Sequence, residues 1–148
     1  MNDEDRLTTR GLLNLSQEFI DAYNILEKND HRITNLFHVK FYLLAHSIEL
    51  AFKAYLRHRG KSIGELKNLG HNLEDIYKQL NTNYLYNLDR KSLNMIYVIN
   101  GYYKEKEFEY PKIGVKNVIP IDNLAVVTSM IKDATEIQVG QEIPPNNL

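Results

Sequence analysis

Apolar residues return along this chain at three- and four-residue intervals, and the intervals break at glycine, proline and short runs of asparagine and aspartate. From Thr8 or Thr9, either a fitting N-cap, the series Leu12, Leu15, Phe19, Ala22, Tyr23 and Leu26 traces one face of a helix ending near Lys28. "KNDHR" turns the chain, and a long second helix is predicted from Ile33 to His58, stopped by Gly60. "KSIGELKNLGHNLEDIYKQL" reads as a short turn of helix closed by Gly70, then a third helix over Leu73 to Leu80. Asn72 is its N-cap, and Glu74 and Asp75 suit the positive end of its dipole. After the polar stretch "NTNYLYNLD", Asp89 caps a fourth helix with Leu93, Ile96, Tyr97, Asn100 and Tyr103 along one side.

"EYPKIGVKNVIP" holds two prolines and a glycine and predicts irregular chain as far as Asp122. Asp122 is the expected N-cap of a fifth helix turning Leu124, Val127, Ile131 and Ala134 inward. "GQEIPPNNL" has too little to bury and is expected to be a flexible tail. The expectation is an all-α, up-and-down bundle of four to five helices, one domain over 1–139 with the tail over 140–148.

The second helix breaks the simple pattern. In "AHSIELAFKAYL" an apolar stretch carries His46, Glu49 and Lys53 in one line, which Arg57 continues. Val39, Leu43 and Leu50 share that sector, while Phe37, Phe41, Leu44, Ile48, Phe52 and Tyr55 occupy the far side. A helix apolar nearly all round is central in its fold or covered by another subunit, which is the ground for expecting a homodimer through the second or fourth helix. Glu49 and Lys53 are spaced to pair, and a lone buried charge would cost several kcal/mol. One reading is thus a structural ion pair beside a satisfied histidine. Another is a ligand pocket in which His46 moves a proton. For a metal the line falls short: His46 and Glu49 need further ligands and stand in the reverse order of the Glu-x-x-His pairs of carboxylate bundles, so no metal or cofactor is expected.

Composition narrows the field. With 148 residues, 43% hydrophobic, the chain supports one cored domain, and 18 basic against 19 acidic residues leave no overall charge to hold a nucleic acid or membrane. Any such surface must be local, and Lys53, Arg57, Arg59, Lys61 and Lys67 against Glu65 alone make one candidate, a loop able to meet phosphates of RNA or a nucleotide. A solvated helix end complementing the dipole is the plainer reading. "RGKS" is no phosphate loop, because the motif's first glycine falls at Tyr55. The sequence has no cysteine, which excludes disulfides and thiolate metal sites and fits a reducing compartment. "MNDEDRLTTR" is acidic where a signal peptide is basic, and no apolar run approaches a membrane span, so a soluble cytoplasmic protein with no membrane partner is expected. Of 10 tyrosines, those in "NGYYKEKEFEYP" are read as packing and dimer contacts, Tyr103 keeping the inward period and Tyr102 leaving it.

"LLAHSIELAFKAYLRHRG", "LGHNLEDIYKQL" and "LNMIYVINGYYKEKEFEYP" resemble, in that order, the pattern of HEPN-domain proteins, prokaryotic helical domains linked to nucleotidyltransferases, toxin–antitoxin pairs and phage defence. The resemblance spans about Tyr42 to Pro111. It implies a helical bundle, frequent homodimerisation, a nucleotidyltransferase or toxin/antitoxin partner and, in the catalytic branches, metal-independent RNA cleavage. Those branches carry an arginine, four to six residues and a histidine on a late helix. Here the last histidine is His71, so the late helices have no such motif. Only Arg32 and His38 match the spacing, at the start of the second helix. If they cleave RNA, Arg32 holds the phosphate and His38 moves the proton.

The resemblance therefore implies a non-cleaving binding or assembly module for RNA or a nucleotide, with His46, Glu49, Lys53, Arg57, Arg59 and Lys61 as its binding candidates. In that pattern Glu49 and Lys53 form an internal polar pair and "GHNL" caps the third helix. The alternatives are a ribonuclease using Arg32 and His38, or His46 and Arg57, and a purely structural interaction protein.

Overall fold

A computed structural model describes residues 6–29, 36–105 and 119–141. Helix α1 spans Thr9–Lys28, α2 Phe37–His58, α3 Ile63–Asn68, α4 Leu73–Lys78, α5 Arg90–Tyr103 and α6 Ile121–Gln141, with a 3-10 turn at Thr82–Leu85. Among the described residues there is no strand, so the protein is all-α. No helix among them is long and apolar enough to cross a membrane.

The chain buries α2 on nearly every side. Its axis is flanked by α1 and α6, and α3, α4 and α5 close the remainder. Leu44, Ala45, Ile48, Ala51, Phe52 and Ala54 are fully buried, the large ones contributing about 1.5–3 kcal/mol each. Leu50 and the far-side residues of α2 are thus covered within one chain, while Val39 is 48% exposed. Along α1, Ser16 Oγ donates to Ser47 O and Ser47 Oγ to Ser16 O, both at 2.9 Å. These reciprocal bonds satisfy two buried hydroxyls and set how the helices align.

Local chemistry placed most boundaries. Thr8 caps α1 by accepting from Gly11 N, Asn72 caps α4 through Asp75 N, and Asp89 caps α5 through Ser92 N. Gly60 ends α2 at φ 98, with Gly60 N bonded to Arg57 O and Lys61 N to Leu56 O, both at 3.0 Å. That is the paired-bond stop in which a left-handed residue, here glycine, reverses the chain. Ser62 and Glu65 then form a reciprocal capping box that starts α3.

Six expectations shift. Helix α2 begins at Phe37, after Leu36 at φ 53; Ile33 and Arg32 lie outside the described residues. Asp122 sits in the first turn of α6 rather than capping it, and α6 continues through Gly140 to Gln141, two residues into the expected tail. On α1 the inward face is Leu12, Leu13, Ser16, Ile20 and Tyr23, leaving Leu15 39% exposed, because Ser16 is small enough for α2 to approach there. On α5 it is Ile96, Ile99, Asn100 and Tyr103, while Tyr97 is turned outward. The stretch expected to be a polar loop buries Tyr84 and Leu85 through the 3-10 turn.

Candidate functional site

The polar line on α2 divides. Its first part converges with residues from elsewhere on the Glu49 carboxylate, which is only 2% exposed. Lys53 Nζ donates to Oε1 at 2.7 Å, one helical turn on, as the spacing predicts. His71 Nδ1 reaches Oε2 at 2.9 Å from the α3–α4 turn, and the Tyr103 hydroxyl donates to the same oxygen from α5. His46 Nδ1 stands 3.6 Å from Oε2 and bonds the Tyr103 hydroxyl at 2.7 Å. Lys53 uses a second proton on Gly70 O at 2.8 Å, a carbonyl placed by the left-handed φ of 59 at Gly70.

Burial alone pushes the Glu49 carboxyl up. The His46 imidazole, the Lys53 ammonium and the Tyr103 hydroxyl outweigh it and bring it down to about 2. The ionised carboxylate also assigns the tautomers. Tyr103 gives its only proton to Glu49, so its oxygen accepts from His46 Nδ1–H, and His71 Nδ1–H faces Glu49 directly. The His46 ring packs against Phe19, edge-on at 4.6 Å, and Tyr42, stacked at 5.6 Å. His71 is half exposed, so the cluster opens to solvent on that side.

Asn100 fixes the floor of this cluster. Its Oδ1 accepts from Leu73 N, the first amide of α4, at 2.7 Å, and its Nδ2 donates to Asn72 Oδ1 at 3.0 Å. A side chain of α5 thereby satisfies an orphan helix-end donor of α4 and holds the turn that carries His71.

The second part of the line lies beyond the α2 C-terminus. Arg57 donates to Leu7 O at 3.1 Å and Lys61 O at 3.0 Å, tying the entry of α1 to the loop after α2. Arg59 is exposed, and Lys61 stands 3.6 Å from Glu65. Arg59 and Lys61 line a depression of about 360 Å³ with Tyr55, Gln79 and Asn81. A second of about 300 Å³ shares Tyr55, Arg59 and Asn81 with it, and a third of about 280 Å³ shares Tyr84, Tyr86 and Gln138 with the second. Together they form one groove, lined by Arg59, Lys61 and Glu65 at the α2 end and reaching Asp133 on α6 at the other. Tyr55 and Tyr84 stack beneath it at 4.3 Å and 9°, while Tyr86 is 81% exposed.

Of the binding candidates read from sequence, His46, Glu49 and Lys53 meet in the buried cluster, Arg59 and Lys61 meet in the groove, and Arg57 braces backbone between chain segments. His38 stands in the first turn of α2 with its ring edge-on to Phe37 at 5.4 Å; its expected partner Arg32 is outside the described residues. Sequence reading passed over His71 and Tyr103 as partners of Glu49, and Asn81, Asn83 and Tyr86 as groove residues. Glu49 itself carried the signal for the first pair, since a buried carboxylate needs more donors than one lysine supplies. Compared with known proteins, the chain matches no family model, no curated protein sequence and no solved structure.

Proposed function

We propose that the chain is a non-catalytic, HEPN-like binding module whose ligand is a nucleotide or a short stretch of single-stranded RNA, held in the groove between Arg59 and Tyr86. The observation that carries this reading is the composition of the groove: exposed Arg59 beside the Lys61–Glu65 pair at one end, the amides of Asn81 and Asn83 along it, and an exposed tyrosine beyond. Cations meet phosphate, amides meet base edges, and an aromatic face stacks on a base with little regard to sequence. Asp133 at the far end sets the polarity, with phosphate toward Arg59 and Lys61 and the base toward Tyr86. A nucleotidyltransferase or toxin/antitoxin partner, or a second copy of the chain, belongs to the same reading and rests on the resemblance alone.

Fluorescence anisotropy with a labelled single-stranded RNA, with AMP and ATP as competitors, tests the proposal. Two phosphate contacts give a slope of log K against log salt of about −1.4, or roughly a sevenfold loss between 50 and 200 mM. Tyr86→Ala removes a stacking face worth about 1–3 kcal/mol, and Arg59→Ala lowers affinity and halves the slope. Affinity unchanged in both variants sinks the reading. In EDTA the RNA stays full length; cleavage that His38→Ala abolishes would instead establish the ribonuclease alternative with Arg32 and His38.

A further inference from the structure

We propose that His46, Glu49 and His71 form a binding site for a first-row divalent cation, with Zn²⁺ as the type ion. One ligand atom from each of the three lies within 4.8 Å of the others. The two imidazole Nδ1 atoms stand 3.6 and 2.9 Å from Glu49 Oε2. Tetrahedral coordination with bonds of roughly 2.0–2.1 Å sets ligand atoms about 3.3 Å apart, between those two distances, so modest side-chain adjustment admits an ion. Two imidazoles and a carboxylate form a donor set that zinc accepts with one coordination position left open.

Three features beyond the donors suit a cation. Phe19, edge-on, and Tyr42, stacked, both pack on the His46 ring, so one ligand is preset. The second carboxylate oxygen is occupied by Lys53 Nζ, which orients Glu49 while leaving Oε2 toward the imidazoles. His71 is 52% exposed, which supplies an entry path and room for a coordinating water.

Binding exchanges one network for another. With Nδ1 on the ion, each imidazole carries its remaining proton on Nε2, so neither ring has to become anionic. Tyr103 stays beside the carboxylate as an outer hydrogen-bond donor. The Lys53 ammonium repels a dication, so affinity is expected on the order of micromolar, short of structural zinc sites. The site lies in the buried cluster and not in the groove, so it stands independently of the nucleotide reading.

The test is isothermal titration of the full chain with Zn²⁺, paired with the visible absorption of Co²⁺ as a coordination probe. There is no cysteine to compete, and His38→Ala controls for histidine elsewhere. Expected are one ion per chain and an affinity unchanged in His38→Ala. His71→Ala and His46→Ala should each weaken binding by at least about 10–100-fold, the cost of losing even an outer-shell partner. His71→Ala alters a half-exposed turn residue, and its circular dichroism melt verifies that it folds. No binding up to about 100 μM Zn²⁺, or binding that neither cluster variant weakens, overturns the proposal.

Discussion

Glu49 within α2 and Arg59 at its end continue one line of polar residues, yet their surroundings are opposite. Glu49 is enclosed by Lys53, His71 and Tyr103, each donating to it, and holds helix α2, the α3–α4 turn and helix α5 together. Arg59 stands exposed at the mouth of an open groove that it lines with Lys61, Glu65, amides and tyrosines. Depth decides the difference. A charge taken from water must be met by fixed donors or it costs the fold several kcal/mol, whereas a charge left in water keeps its capacity for a ligand. Polar residues along one helix therefore divide between holding the bundle together and meeting other molecules.

The comparison breaks most visibly at Glu49. Replacing it with alanine leaves the part-buried Lys53 without its carboxylate and strips His71 and Tyr103 of their acceptor. The expected loss is about 3–5 kcal/mol of unfolding free energy, read by urea denaturation. A loss below about 1 kcal/mol would mean that the cluster contributes little to the fold.

Acid probes the same cluster without mutation. The folded-state value of about 2 for Glu49 lies below its ordinary 4.5, so its stabilisation is fully present above about pH 4.5 and fades as pH falls toward 2. The shift corresponds to about 3 kcal/mol. Glu49→Gln should flatten that part of the stability–pH curve, whereas Arg59→Ala should leave its shape intact.

Asn100→Ala comes next, at about 1–3 kcal/mol, because it orphans the buried Leu73 amide. Loss of its bond to Asn72 also loosens the turn carrying His71. Amide exchange at Leu73 should accelerate in this variant, and an unchanged rate there would remove Asn100 from the support of the cluster.

The ease of reading differed between the two regions for a physical reason. Caps at Thr8, Asn72 and Asp89, the stop at Gly60 and the Glu49–Lys53 pair are local devices whose partners lie within a few residues, so their spacing carried them. The capping box at Ser62 and Glu65 is equally local, yet the sequence reading took from "SIGE" only a short turn of helix. His71, Tyr103 and Asn100 act on residues 22 to 54 positions away, where spacing says nothing and only the packing of α4 and α5 against α2 brings them together. The α1 face was misread because Ser16, polar by type, is buried by its exchange of hydrogen bonds with Ser47. Asn81, Asn83 and Tyr86 sit in and around a 3-10 turn, whose exposed face has no periodicity to announce it.

The smallest expected effect is the most discriminating. Arg59 follows Glu49 by about 15 Å of helix at about 1.5 Å per residue, beyond the range at which unconnected sites couple. Arg59→Ala alone should change stability by less than about 0.5 kcal/mol, as exposed substitutions do. Combined with Glu49→Gln, the two stability changes should add within about 0.5 kcal/mol, and the affinity lost by Arg59→Ala should be the same in either background. If instead Glu49→Gln alone weakens ligand binding in a protein that still melts cooperatively, cluster and groove are coupled along α2. The division drawn here between holding the fold and meeting a ligand would then give way to a single extended site.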